Sequence, residues 1–294
     1  MNDSLRVLNL ALSFNAFAAH SSLFIPLCTG SKGWRQPGPK RDFCHTIYDH
    51  KLPYHSSAIL ASALETFTMK YRLKSSHFTM MDLCVDLSRY GRKAAAASLC
   101  LPFSFNSDAD LLECLDNWQG PLSQSITPNC KIGTDKLIQY ITLRGISDEK
   151  LKRPNQTEKL RNTPAYKCDT ITDMLNLYLS YATNATSNVT VVSKPLDVKP
   201  PYPNIFDKFI NQNGYVSAEQ RPEHVNVGNV PILAGLHNGS GVGDMLESLH
   251  TEARRIRFNK LNQFMSGTIE KDEFEDCLDN LFRFRENYTD GYFL

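Results

Sequence analysis

Three stretches hold residues whose types and spacing could do chemistry. In GLHNGSGVGDMLESLH, residues 235–250, Gly239, Gly241 and Gly243 follow an apolar run and open a helical pattern. Glycines there would let backbone N–H groups approach an anion at a helix N-terminus, and the chemistry would be phosphate binding. The stretch has neither G-x-G-x-x-G nor Gly-Lys-Ser/Thr, and Asp244 would set a carboxylate beside the phosphate. It reads instead as a flexible strand-to-helix turn in which Ser240 or Asp244 caps the helix.

The second stretch, NQFMSGTIEKDEFEDCL, has Gly267, Ile269 and Glu273 at the offsets of a calcium loop. Calcium also needs oxygen at the alternate early positions, where the chain offers Asn262, Phe264 and Ser266, and a phenyl ring cannot ligate it. The third, CHTIYDHKLPYH, gathers Cys44, His45, His50 and His55, soft donors for zinc in a spacing that matches no standard arrangement. No Gly-x-Ser-x-Gly or His-Glu-x-x-His motif occurs. The expectation is therefore a chain that is not an enzyme, with no catalytic, cofactor-binding or metal-ligating residue and no cofactor.

Composition sets the background for that reading. The chain has 294 residues, 41% apolar and 21% charged, which is the make-up of a folded globular protein. A net charge of +1 provides no global field to draw nucleic acid, and no nucleic-acid partner is expected. The eight cysteines include no CxxC pair and read as reduced thiols. RVLNLALSFNAFAAHSS imitates a signal peptide, but Asn9, Ser13 and Asn15 interrupt its apolar stretch, while Val7, Leu8, Ala11, Leu12 and Phe14 fit the stripe of an amphipathic helix. Without a secretory route the sequons at Asn155 and Asn188 lose their meaning. No run of about 18 apolar residues offers a transmembrane segment.

The elements that must position these residues follow from periodicity. SSLFIPL reads as a short buried strand. Pro53 starts a helix over YHSSAILASALETFTMKYRL, in which Leu60, Leu64, Phe67 and Tyr71 form a stripe and Ala58, Ala61 and Ala63 keep the rest small, so a central position is expected. AAAASLCLPFSF, KLIQYITLRG, NVTVVS and NVPILAGL read as strands, ADLLECLDNW and ITDMLNLYLSYA as helices, together a sheet covered by helices. Two C-terminal helices follow, the first basic through Arg254, Arg255, Arg257 and Lys260, the second opening on Glu270, Asp272, Glu273, Glu275 and Asp276. They predict an antiparallel hairpin with charge pairing across it.

AHSSLFIPL, YDHKLPYHSSAILASALETFTMKYRL, KPPYPNIF and VPILAGLHNGSG together resemble the Misato family, tubulin-like proteins linked to mitochondrial distribution and morphology. The resemblance runs from about Leu5 to the C-terminus, and His50 to Leu73 is its most specific part. It implies an α/β fold: a tubulin-like C-terminal portion in which a mixed sheet is covered by helices and followed by a C-terminal helical hairpin. Residues 1–50 would be a remnant of the nucleotide domain, 51–73 the core helix, 74–238 the intermediate sheet domain and 239–294 the hairpin. The glycines at 239–243 then fall at a turn where tubulins bind no nucleotide.

Two positions weigh against a nucleotide. Where tubulins read guanine with an asparagine, this sequence offers Ser57, and in KSSHFTMMDLCVDL only Asp82 lies near the place of the partner subunit's hydrolytic acid. Misato proteins are also longer, and the Gly-rich phosphate signature of the tubulin first half is absent, so a truncated form, gene-model fragment or isoform is expected. The resemblance implies a non-enzymatic protein of mitochondrial distribution, morphology and organisation, on the outer mitochondrial surface as a peripheral protein and in the cytoplasm, with tubulin or mitochondrial surface proteins as partners. The alternatives it leaves are a cytoskeletal adaptor that binds tubulin or its folding machinery, and a residual GTPase.

Overall fold

A computed structural model describes residues 2–18, 22–29, 46–49, 51–74, 76–118, 120–133, 136–151, 164–256 and 270–288. Helices α1 (Asn2–Ala18), α2 (Pro53–Phe67), α3 (Met69–Arg72) and α4 (Met80–Leu87) lead to strand β1 (Ala96–Cys100) and helix α5 (Leu111–Asp116). Strands β2 (Gln124–Ser125) and β3 (Lys136–Arg144), helix α6 (Ile171–Ala182), and strands β4 (Thr186–Val192), β5 (Leu196–Asp197), β6 (Asn229–Val230) and β7 (Ile232–Gly239) follow. Helices α7 (Ser240–Arg254) and α8 (Lys271–Glu286) close the order.

The main sheet has the order β2-β1-β7-β3-β4. β7 pairs antiparallel with β1 and with β3, so Gly235 faces Ser98 on one side and Ile141 on the other. β3 and β4 pair in parallel, with Ile141 opposite Val189. Parallel neighbours need a crossover, and α6 provides it. The expected α/β architecture, a mixed sheet with helices on it and helices at the C-terminus, is the observed one.

Alternation along β3 and β7 divides the core. Ile138, Tyr140, Ala234 and Leu236 face Ile59, Ala63, Leu83 and Leu87 of α2 and α4. On the other face Ile141, Leu143 and Leu233 meet Leu111, Leu115, Met174 and Leu175 of α5 and α6. A third cluster joins α1, α7 and α8 through Leu8, Ala11, Phe14, Met245, Leu249, Phe274 and Leu281. Phe14 lies edge-on to both Phe24 and Phe284, at 5.2 and 5.3 Å between ring centres. Burying such aromatic pairs adds about 0.5–1.5 kcal/mol each beyond their area.

Three expectations need correction. SSLFIPL does not form a strand; its described part makes one isolated bridge, Phe24 to Ala94, and Pro26 has no N–H with which to extend a ladder. α2 buries Ile59, Ser62, Ala63 and Thr66, while Leu64 is 50% exposed, so the buried stripe is rotated from the leucine stripe. Small side chains let α2 lie close on the sheet, and Ser62 and Thr66 hide their hydroxyls by donating to the carbonyls of Ala58 and Ser62, at 2.8 Å each. The helix pattern also breaks at Thr68, and Met69–Arg72 is a separate turn.

The expected antiparallel hairpin is present. α7 and α8 are antiparallel, since Gly243 at the start of α7 lies under Tyr288 just past the end of α8. The pair that ties them is Glu247 with Arg285, 3.1 Å, an acid on the first helix and a base on the second. Of the expected pairing between the basic end of α7 and the acidic start of α8, Arg257 and Lys260 lie outside the described residues. Tyr288 is fully buried, and its hydroxyl accepts from Ala94 N at 2.7 Å and donates to Ala94 O at 2.8 Å. That pair of bonds fixes the C-terminal layer to the chain just before β1.

Candidate functional site

Each motif residue that the structure describes already serves the fold. Gly239 ends β7 in an extended conformation and is the N-cap of α7, which has no side-chain cap. Ser240 and Asp244 therefore do not cap it, contrary to expectation. A Cβ on Gly241 would lie 2.1 Å from the Lys131 carbonyl oxygen, and one on Gly243 would lie 3.1 Å from Cβ of Tyr288. The glycines admit neighbouring backbone and a tyrosine, and that packing fills the place a phosphate would need.

Glu273 turns back onto its own helix and accepts from Glu270 N, 3.2 Å, in a capping box. Asn262, Phe264, Ser266, Gly267 and Ile269 lie outside the described residues, as do Cys44, His45 and His50. His55 accepts from Asp49 N through Nδ1, 3.2 Å, and so shapes a turn. Among the described residues no cluster of three metal-ligating side chains occurs. Ser57 is exposed on α2 and donates to Pro53 O, 3.0 Å. Asp82 accepts from the Thr79 amide and hydroxyl, 2.7 Å each, which holds its carboxyl below the usual carboxylate range. Burial pushes the Cys114 and Cys130 thiols up to about 12.

Two features were not read from the sequence. The first is a half-open cavity of about 380 Å³ between α6 and the sheet. Its polar end is built by strand register: Gln139 on β3 sits opposite His237 on β7. Gln139 donates through Nε2 to Ser187 Oγ, 2.7 Å, and to Thr183 Oγ1, 3.1 Å. Its amide oxygen is thereby turned toward Lys136 Nζ, 3.3 Å. Ser123 donates to Ser98, 2.7 Å, and Ser98 Oγ lies 2.6 Å from Nε2 of the buried His237. Ser98 Oγ also lies 3.5 Å from Gly235 O, a second acceptor for its hydrogen. Nδ1 has no partner. Burial, then the nearby Lys136, hold the His237 imidazolium well below its ordinary range, so the ring is neutral.

The second feature is a surface. α2 and α4 cover the same face of the sheet, and their outer sides leave Tyr54, Leu64, Met80, Met81 and Val85 exposed. Met80, Met81 and Val85 lie within six residues of one helix, and exposed apolar side chains that gather in a patch mark interaction surfaces. Both features had faint signals in the sequence: a glutamine inside KLIQYITLRG, a histidine inside NVPILAGLHNG, and MMDLCV with more apolar positions than one helix face needs.

No family model matches the chain. Among curated relatives, Protein misato of Drosophila melanogaster is 32% identical over 302 aligned residues, which take in 100% of this chain and 52% of that protein. The chain is thus similar along its whole length to misato proteins. Protein misato homolog 1 of Homo sapiens is 31% identical over 97% of the chain, and that of Danio rerio 27% identical over 99% of it. The chain spans about half the length of the curated misato relatives it matches, 50% and 51% in those two cases. The misato relationship thus covers the sheet, the cavity and the exposed helical face alike.

Proposed function

We propose that this chain belongs to the misato family and serves mitochondrial distribution, morphology and organisation as a non-enzymatic, tubulin-like protein. It acts peripherally at the outer mitochondrial surface and in the cytoplasm, through protein partners rather than nucleic acid. The whole-chain relationship to misato proteins is the observation that carries this reading. A mixed sheet followed by two antiparallel helices supports the tubulin-like part of it. The exposed outer sides of α2 and α4 support docking of a protein, and motif glycines and carboxylates already committed to packing and capping support a role without catalysis.

The test is depletion in cells that express the protein, with imaging of the mitochondrial network and re-expression of the wild-type chain or a Met81→Glu/Val85→Glu double variant. The expected result is a collapsed or fragmented network restored by wild type and not by the variant. An unchanged network after depletion overturns the mitochondrial role. Retention of purified tubulin at micromolar concentration by the chain, with a normal network, would favour the adaptor reading instead.

A further inference from the structure

The two edges of the main sheet differ. β2, at one edge, has two residues and is too short to template another strand. β4, at the other, has seven, Thr186–Val192, with no charged residue, proline or glycine among them. Its register with β3 runs unbroken from Ile138 opposite Thr186 to Arg144 opposite Val192, so no bulge bends it away. Shortness, charge, proline and bulges are the protections that open edges ordinarily carry, and β4 has none of them.

The open groups follow from the ladder. Gly145 N donates to Val192 O, 2.9 Å, so Val192 turns its backbone groups toward β3. These groups alternate sides along a strand. Asn188 and Thr190 therefore also face β3, while Ser187, Val189 and Val191 point their N–H and C=O outward. Among the described residues those outward groups make no hydrogen bond.

We propose that β4 pairs antiparallel with β4 of a second copy of this chain, about a two-fold axis at Val189. That register sets Val189 opposite Val189 and Ser187 opposite Val191, so each outward N–H of one copy meets an outward C=O of the other. A slip by one residue would set outward groups against groups already bonded to β3, and a slip by two would leave some unpaired at the ends. The edge is thus complementary to itself, as a two-fold contact requires.

The side chains agree with this pairing. Val189 and Val191 lie on the face packed against α5 and α6, where Val189 would meet its own copy and Val191 would meet Ser187. On the opposite face Asn188 would meet Thr190, and Thr186 would meet Val192, so no like charges are opposed within the strand pair. Lys70 donates to Asn188 Oδ1, 2.6 Å, and its ammonium lies 4.2 Å from the Phe78 ring centre, which draws that charge back over its own chain. Near the end of α6, the helix that leads into β4, Tyr181 is 75% exposed, and tyrosine is enriched where protein surfaces meet.

Sedimentation velocity of the 294-residue chain across micromolar concentrations tests this, with Val189→Pro as variant. Proline removes the central outward N–H and no bond to β3, so the sheet of the single chain keeps its ladder. The expected result is a reversible dimer whose association is at least about tenfold weaker in Val189→Pro. A monomer at every concentration, which would leave the edge to a strand of another protein, overturns the proposal. So does an assembly that grows beyond the dimer, or equal association of variant and wild type. Should Val189→Pro fail to fold, amide hydrogen exchange of the wild type, resolved by residue, gives an independent reading. Raising the concentration is expected to slow exchange at Ser187, Val189 and Val191 and to leave Asn188, Thr190 and Val192 unchanged. Equal slowing in both sets, or none at the outward amides, overturns it.

Discussion

Arg144 at the end of β3 donates from Nη1 to Oε1 of Glu65 on α2 across 2.9 Å, with the arginine side chain 2% exposed and the glutamate 45% exposed. A second bond runs from Nη2 to Pro195 O, 3.2 Å, and Nε has no partner. The guanidinium is thus buried on the strength of one carboxylate that still touches water. Removing that carboxylate strands a buried charge. Glu65→Ala is expected to lower stability by about 2 kcal/mol, seen as a reduced urea midpoint, whereas Arg144→Met costs less because the charge leaves with the partner. Equal losses for the two would show that packing, not charge, decides the contact.

The rotated face of α2 gives a sharper comparison. Ile59 is fully buried against the sheet and Leu64 half open. Ile59→Ala is expected to cost about 2–5 kcal/mol, as large-to-small core changes do. Leu64→Ala should stay within about 0.5 kcal/mol, as surface changes do. Thermal denaturation of the two variants decides it, and a reversed order would restore the leucine stripe as the buried one.

Gly241 separates packing from phosphate binding. With Cβ placed 2.1 Å from a carbonyl oxygen, Gly241→Ala must push α7 off the loop at Lys131. A loss of about 1–3 kcal/mol is expected from such overpacking. Melting curves of the wild type with and without millimolar GTP should superimpose; a GTP-dependent rise absent from the variant would reverse the structural reading of this turn.

His237 makes stability depend on pH. The folded ring is held well below its ordinary range, mainly by burial and then by Lys136, so at mildly acid pH the unfolded chain accepts a proton that the folded chain refuses. Proton uptake on unfolding means stability falls as pH drops below about 6.5, by up to about 1.4 kcal/mol per unit for this one group. His250 is shifted in the same direction and adds to the trend. Urea titrations at pH 7.5 and 5.5 should therefore show a loss in the wild type that is smaller in His237→Gln. Parallel slopes would mean that the buried ring takes up its proton without unfolding.

Local pattern determined much of this protein. Alternating apolar residues in KLIQYITLRG and NVPILAGL place β3 and β7, and Thr79 with Asp82 or Thr170 with Asp173 mark helix starts that the structure caps. The misato relationship was also readable from residue order alone, because it rests on the sequence of side chains and not on their packing. Which face of α2 turns inward was decided only by packing, since the sheet accepts small side chains at close range and Leu64 is left outside. The polar end of the cavity is likewise tertiary: Ser98, Ser123, Lys136, Gln139 and His237 come from three strands and a loop, and no spacing rule links them. Register brings Gln139 opposite His237, and Nδ1 of that buried ring is left without a partner. Sequence fixes periodicity because periodicity is local; long-range pairing alone decides which polar groups end up facing one another without water.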